Sequence, residues 1–385
     1  MPAFDIAIIG AGVIGTSIAF ELAADKLRVA VLDRQPPGQE ASWAAAGMLS
    51  PAPDSLRDIP LVPLACESLR LYSEFAAAIE EASGRSIGYE REGTLELFFG
   101  PRGEDDRQRR VSECQELGIT AEAVSIETAR GWEGAIGQSA QAAVWLPEEA
   151  RVEPRLLMDA VIVAAHHRGV AFRKNCQVTE LLTDHGRCHG VVATDGTISA
   201  GQVILAAGCF SSQIGDNQDS LKQYAPTRPV RGQMMALRPD SHRFQRVLRS
   251  KRGYLVPRRH GQIVAGSTSE EAGFDKRVTA QGIRQILDNA FELAPSLGSA
   301  EIVETWSGLR PGTPDDLPIL GPAHVEGLLI ATGHYRNGIL LAAATAKLMR
   351  EWVTMGRTSF PADPFSPLRF HQEPRRSATR SIAKN

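Results

Sequence analysis

Cysteine is scarce in this chain: five in 385 residues, at Cys66, Cys114, Cys176, Cys188 and Cys209. They form no CxxC pair, and an odd, scattered set argues against a disulfide framework and for a reducing, cytoplasmic setting. No stretch reaches the eighteen or more apolar residues of a membrane span. Neither sign of charge prevails, with 42 Lys and Arg against 45 Asp and Glu. A net charge of −3 gives no broad field for nucleic acid or an anionic membrane, so recognition by charge must be local. The motif-bearing segments hold no Ser/His/Asp set, no metal-spaced histidines and no paired carboxylates, which leaves hydrolysis and metal chemistry without candidates. The opening MPAFDIAIIGAGVIG is apolar but has no basic n-region and no small-residue cleavage site, so it does not read as a signal peptide.

What is present is ample material for a core, 43% hydrophobic and 23% charged, enough for two domains or an interleaved pair. Asp5 to Ile9 is a β-branched run followed at once by GAGVIG, Gly10 to Gly15, and then by helical apolar spacing from Thr16 to Ala24. Strand, glycine turn and helix in that order predict a dinucleotide site. Gly10 allows the tight turn, Gly12 lets backbone approach a pyrophosphate, and Gly15 permits close helix–strand packing, while the helix N-terminus offers N–H groups to phosphate. A second strand, Leu27 to Leu32, ends at Asp33, whose carboxylate can accept ribose hydroxyls and would repel a 2′-phosphate.

After Asp33 the segment ASWAAAGML, Ala41 to Leu49, has almost no side-chain bulk. It reads either as backbone lying flat against something large and planar or as a small-residue helix packed on a neighbour. Further on, the spacing predicts a helix from Glu153 to His167, short strands, and hairpin turns at Asp184 to Gly186 and Asp195 to Gly196. From Pro226 to Glu270 the period becomes two, with a turn at His260 and Gly261, as in an antiparallel sheet of a second domain. The charged stretch Pro101 to Arg110 reads as a solvated loop or helix start, and the polar tail from Gln372 as disordered.

Two arginines stand out. Arg310 lies before a proline in a rigid, apolar segment and needs a partner: a ligand carboxylate, which its planar fork suits, or a structural salt bridge. Arg336 sits in ATGHYRNGILLAAATA, just ahead of a helix whose positive end would itself welcome an anion. Either a negative or strongly polar ligand lies between them, or Arg336 caps neighbouring carbonyls.

GAGVIG, ASWAAAGML and GHYRNGILLAAATA together resemble the FAD-dependent amine oxidases of the D-amino-acid oxidase superfamily, above all the glycine oxidases of thiamine biosynthesis, from Asp5 to about Met355. The resemblance implies an α/β chain in two interleaved parts: a Rossmann-like FAD domain (1–85, 145–225, 305–360) and an antiparallel-sheet substrate domain (86–144, 226–304), with a tail from 361. It further implies that FAD is contacted by Gly10, Gly12, Val13, Ile14, Gly15, Asp33 and Arg34, and by Ala41, Ser42, Ala46, Gly47 and Met48. Val178 would join them, as would His334, Tyr335, Arg336, Asn337, Gly338, Ile339 and Leu340. Arg310 and Tyr254 would hold a substrate carboxylate, with Arg336 on the substrate side. No residue is expected as a catalytic base, because an amine held beside the flavin can deliver hydride to N5 unaided. The implied chemistry is oxidation of glycine, sarcosine or small D-amino acids with O2, yielding H2O2 and an imine or 2-oxo acid, in a homo-oligomer, a tetramer in the resembled family. A quinone-linked D-amino-acid dehydrogenase and a non-catalytic flavin-binding subunit are the alternatives. With no cysteine after Cys209, the C-terminal cysteinyl attachment of some relatives cannot form, so FAD is expected to be non-covalent.

Overall fold

The structure is a computed structural model that describes residues 2–215, 221–240 and 243–370; the tail expected to be disordered from Gln372 lies outside them. Two eight-stranded sheets organise the chain. At the centre of the first, Phe4–Ile9 lies parallel to Val29–Leu32 on one side and to Gly196–Leu205 on the other. Ala171–Arg173 extends this sheet beyond Val29–Leu32, Leu328–Thr332 extends it parallel to Gly196–Leu205, and Ile319–Pro322 closes the edge antiparallel.

The strand DIAII shows why a continuous apolar run is needed there. Ile6 and Ile8 join one core, with Phe20, Leu157 and Leu341 from the helices Val13–Ala23, Pro154–His167 and Gly338–Met355. Ala7 and Ile9 face a second core, under a meander of Val178–Asp184, Arg187–Ala193 and Gly196–Leu205. Alternate residues thus point to opposite faces, and both faces are covered. The meander's first turn is the expected hairpin, with His185 at φ 46° and Gly186 at φ 78°, the left-handed pair a two-residue connection requires.

The second sheet runs Glu301–Gly312, Arg228–Arg238, Ile263–Gly266, Tyr254–Pro257, Val247–Arg249, Thr94–Phe99, Ala140–Leu146 and Glu122–Val124. It is antiparallel as expected except at one junction, where Val247–Arg249 pairs parallel with Thr94–Phe99. Two separate lengths of chain enter the sheet, and they meet side by side there, which no local period could reveal. Glu301–Gly312 pairs with Arg228–Arg238 along its whole length, so a boundary drawn between residues 304 and 305 falls inside a strand, and the chain leaves this sheet only after Gly312. Helix Ala280–Leu293, N-capped by Thr279 accepting from Gly282 N at 3.1 Å, covers the sheet with Ile286, Ala290 and Leu293. Of the two readings of the stretch from Pro101 the helix start holds: Gly103–Glu116 is helical, with Glu104, Asp105 and Asp106 in the first turn where acids favour the helix dipole. Its Arg110 is buried rather than solvated. Among the described residues no helix is long and apolar enough to cross a membrane.

Candidate cofactor and substrate site

The glycine turn is fixed by close backbone approach. Gly10 has φ 105°, and a Cβ there would stand 2.4 Å from the Ala206 carbonyl oxygen; a Cβ on Gly15 would stand 2.0 Å from the Gly10 carbonyl oxygen. Gly12 differs, since only Ser42 Oγ, at 3.2 Å, lies near its missing Cβ, and the space beyond is open. Ser42 Oγ accepts from Val13 N at 2.9 Å, taking one of the helix's unpaired N–H groups. Asp33 is locked to the same turn, with Oδ2 accepting from Ala11 N at 2.7 Å and Oδ1 from Gln35 N at 3.0 Å. Burial pushes its carboxyl above the usual range, against the pull of these two bonds. Arg34 pairs with Glu40 at 2.8 Å and lies 3.6 Å over the Phe210 ring, which stacks on Phe274.

The turn opens on one cavity of about 1030 Å³ between the two sheets. Every sequence-derived candidate lines it except Gly15 and Leu340. Gly15 serves helix–strand packing, as its spacing predicts, whereas Leu340 points into the core at 1% exposure, so only its backbone is near the helix end.

The small-residue strip divides in two. Ala41–Ala44 is a single helical turn packed so tightly that a Cβ on Gly308 would stand 2.5 Å from Ala44 Cβ; Ala45 onward is extended and borders the cavity. The second sheet holds this strip from behind, Trp306 Nε1 donating to Ala44 O at 3.1 Å and Arg258 Nη2 to Ala46 O at 2.7 Å. Gly47 has φ 83°, and a Cβ there would strike the Val152 carbonyl.

The N-terminus of Gly338–Met355 faces the cavity through Asn337, Gly338 and Ile339, and Asn337 supplies no side-chain cap. Its first turn is anchored from the far side: Ser68 Oγ donates to Leu340 O at 2.6 Å and Tyr72 hydroxyl to Ile339 O at 3.1 Å. His334 is buried against Thr345, Nε2 to Oγ1 3.0 Å, and burial pushes its pKa down to about 3. At so low a pKa the ring is a weak proton acceptor.

Arg310 reaches no carboxylate among the described residues. Nη1 donates to Thr268 O at 3.1 Å and Nη2 to Ser267 Oγ at 2.7 Å, and the guanidinium lies flat where a Gly232 Cβ would be. The structural salt bridge is therefore not what holds it. Tyr254 also lines the cavity, its hydroxyl only 3.4 Å from the weak acceptor Met234 Sδ. Arg336 caps no carbonyl among the described residues; Nη1 lies 3.0 Å from Asp54 Oδ2.

The sequence of the FAD dependent oxidoreductase family, DAO, matches residues 5–352. The chain belongs to this family. It is similar to the glycine oxidase of Geobacillus kaustophilus, 35% identical over 94% of this chain and 96% of that one. The bifunctional protein ThiO/ThiG of Synechocystis is 35% identical over 95% of this chain, which spans about half, 54%, of that longer relative. Among solved structures, the Geobacillus kaustophilus glycine oxidase superposes with a TM-score of 0.90 at 32% identity, covering 97% of this chain and all of that one. Iminodiacetate oxidase from Chelativorans gives a TM-score of 0.83 at 28% identity, covering 94% and 98%.

The residues of this FAD-dependent oxidoreductase fit the cofactor. A volume near 1030 Å³ exceeds the usual small-ligand pocket, roughly 300–1,000 Å³, and leaves room for a substrate beside a dinucleotide. The open face of Gly12 and the two helix N-termini suit a pyrophosphate and a polar ring edge. Cys176 and Cys209 border the cavity, but burial pushes each thiol up to about 12, so neither is a reactive thiolate. The supporting residues Trp306, Arg258, Ser68 and Tyr72 were not foreseen. Their roles arise from pairs over a hundred positions apart, and only the isolated indole and hydroxyls in apolar stretches hinted at them. Likewise unforeseen is a buried ionic group bordering the cavity, in which Arg249 Nη2 reaches Glu96 at 2.7 Å, Arg110 Nε reaches Glu96 at 3.0 Å and Arg249 Nη1 reaches Ser50 Oγ at 2.6 Å.

Proposed function

We propose that the protein is an FAD-dependent amine oxidase acting on glycine, and on sarcosine or small D-amino acids, with O2 as acceptor. The observation that carries this reading is Arg310: a guanidinium in the cavity with no opposing carboxylate is a ready two-pronged receptor for a substrate carboxylate. Tyr254 stands ready to add a hydrogen bond, and Gly232 clears space for the fork to lie flat. Bound FAD supplies the two-electron acceptor, so that the amine loses two electrons and two protons to give an imine while O2 takes them to give H2O2. The chain's own contribution is orientation: Arg310 and Tyr254 would hold the carboxylate end of the substrate, Asp33 and the glycine turn would hold the ribose and pyrophosphate of FAD, and the Gly338 helix end would receive an electron-rich ring edge. Neutral His334 leaves the amine proton to solvent. The similarity to the longer ThiO/ThiG relatives supports a role in supplying an imine for thiamine thiazole synthesis, and the family resemblance supports a homo-oligomer.

Anaerobic addition of glycine, sarcosine and D-alanine to the purified yellow protein tests this. Bleaching of the flavin by glycine, followed on admitting air by one H2O2 per amine, is the expected result. Bleaching without reaction with O2 would indicate a dehydrogenase, and no bleaching by any amine would overturn the reading.

A further inference from the structure

Two of the guanidinium groups that line the cavity, those of Arg310 and Arg336, are treated differently. Tyr335 N donates to Pro311 O at 3.0 Å, which brings the turn carrying Arg336 against the strand carrying Arg310. Arg310 reaches no carboxylate among the described residues. Arg336 faces two: Asp54 Oδ2 at 3.0 Å from Nη1 and Asp58 Oδ2 at 3.9 Å from Nη2.

These two acids have distinct duties. Asp58 Oδ2 is consumed by its own loop, accepting from Asp54 N at 3.2 Å, Ser55 N at 2.9 Å and Ser55 Oγ at 3.0 Å, the reciprocal box that starts the short turn Leu56–Leu61. The loop is pinned on its other side, where the buried Arg110 donates through Nη1 to Pro53 O at 2.8 Å, between Pro51 and Asp54. Two prolines and two anchors leave Asp54 little freedom, and Arg336 is the cation it reaches. Asp54, Arg336 and Arg310 all line the same cavity.

We propose that Asp54 is a specificity-determining residue: it masks Arg336, so that Arg310 is the guanidinium left to substrate and amines with one carboxylate are selected over amines with two. A second carboxylate directed at Arg336 must displace Asp54 or lie beside it, and a like charge placed against the unwanted ligand is how a site rejects a partner it could otherwise bind. The inference rests on Arg310 as the carboxylate anchor.

The test uses FAD-loaded protein and two ligands that cannot be oxidised as amines, methoxyacetate with one carboxylate and diglycolate with two, each titrated by the change in flavin absorbance. Wild-type protein is expected to prefer methoxyacetate. Asp54→Asn should shift the ratio of affinities toward diglycolate on the order of tenfold. Adding Arg336→Leu to that variant should abolish the shift, because the uncovered guanidinium is then gone. A ratio unmoved in folded, yellow Asp54→Asn protein overturns the proposal, and so does a shift that survives in the double variant. Failure of the Arg310 reading shows separately, as methoxyacetate affinity unchanged in Arg310→Ala. Failure of the amine-oxidase reading would appear only in turnover and leaves these binding titrations standing.

Discussion

The two halves of the cavity are built from different materials. On the side proposed for the dinucleotide the chain presents mostly backbone: the turn from Gly10 to Gly15, whose Ala11 and Val13 N–H groups are tied to Asp33 and Ser42, the strip Ala45 to Met48 and the helix start at Gly338. On the side proposed for the substrate it presents side chains, Arg310, Tyr254, Ser267 and Arg336, each from a different strand or turn and held in register by the second sheet or the turn against it. A backbone site is intolerant of any added atom but indifferent to most chemistry. A side-chain site tolerates small changes of shape and is ruined by loss of one charge. Mutations in the two halves should therefore separate FAD retention from amine recognition.

The largest effect is expected at Arg310. Arg310→Ala should lower glycine affinity by roughly tens to thousands of fold, the result of removing one partner of a buried charge pair at about 2–5 kcal/mol. FAD content and the flavin spectrum should stay near wild type, because among the described residues the Arg310 guanidinium hydrogen-bonds only to Thr268 and Ser267, which lie in the second sheet's half of the site. Unchanged glycine-dependent bleaching in the folded variant would erase the contrast between the halves. The opposite signature is expected of Gly15→Ala. Its Cβ would stand 2.0 Å from the Gly10 carbonyl, so helix and strand must part, an overpacking that costs about 1–3 kcal/mol. Loss of FAD on gel filtration together with a lowered melting temperature is the expected outcome; full retention of FAD would show that the turn yields more easily than its geometry indicates.

This division also explains what was legible in the sequence. Glycine spacing encodes a backbone shape directly, so the tight turn at Gly10 and the close packing at Gly15 were readable and hold in the structure, whereas the bonds that tie Asp33 to Ala11 N and Gln35 N were not foreseen. Arg310 was readable only as an anomaly, a cation before a proline in apolar surroundings, and its alternative as a salt bridge needed coordinates to remove. Arg336 was seen as out of place at a helix start, but its partner Asp54 lies 282 positions earlier and nothing local links them. The parallel junction of Val247–Arg249 with Thr94–Phe99 escaped for the same reason, since register between distant segments leaves no trace in either one. Arg110 escaped because a run of charges looks solvated until a buried Glu96 and Arg249 are found beside one of them.

A milder change sharpens the cofactor side. Asp33→Asn keeps an oxygen to accept from Ala11 N or Gln35 N but loses the negative charge meant for ribose hydroxyls. Charged hydrogen bonds exceed neutral ones by about 1 kcal/mol, so the dissociation constant of FAD should rise by about fivefold to tenfold. The relative rates with glycine, sarcosine and D-alanine should not move. A changed substrate order with unchanged FAD affinity would put Asp33 in the wrong half.

The smallest expected effect tests whether charge or hydrogen bonding dominates at the substrate end. Among the described residues the Tyr254 hydroxyl has only Met234 Sδ, at 3.4 Å, as a hydrogen-bond partner, so Tyr254→Phe removes no strong internal bond and should leave the melting temperature close to wild type. What it removes is one hydrogen bond to the substrate carboxylate, a net of about 0.5–1.5 kcal/mol, or roughly a 2- to 12-fold fall in kcat/KM for glycine. The loss should appear with sarcosine to the same degree, because both substrates present the same carboxylate, and FAD affinity should be untouched. A fall as large as that of Arg310→Ala would mean that the hydroxyl, not the guanidinium, fixes the substrate. No fall at all would place the carboxylate away from Tyr254, on the side of the cavity where Asp54 covers Arg336.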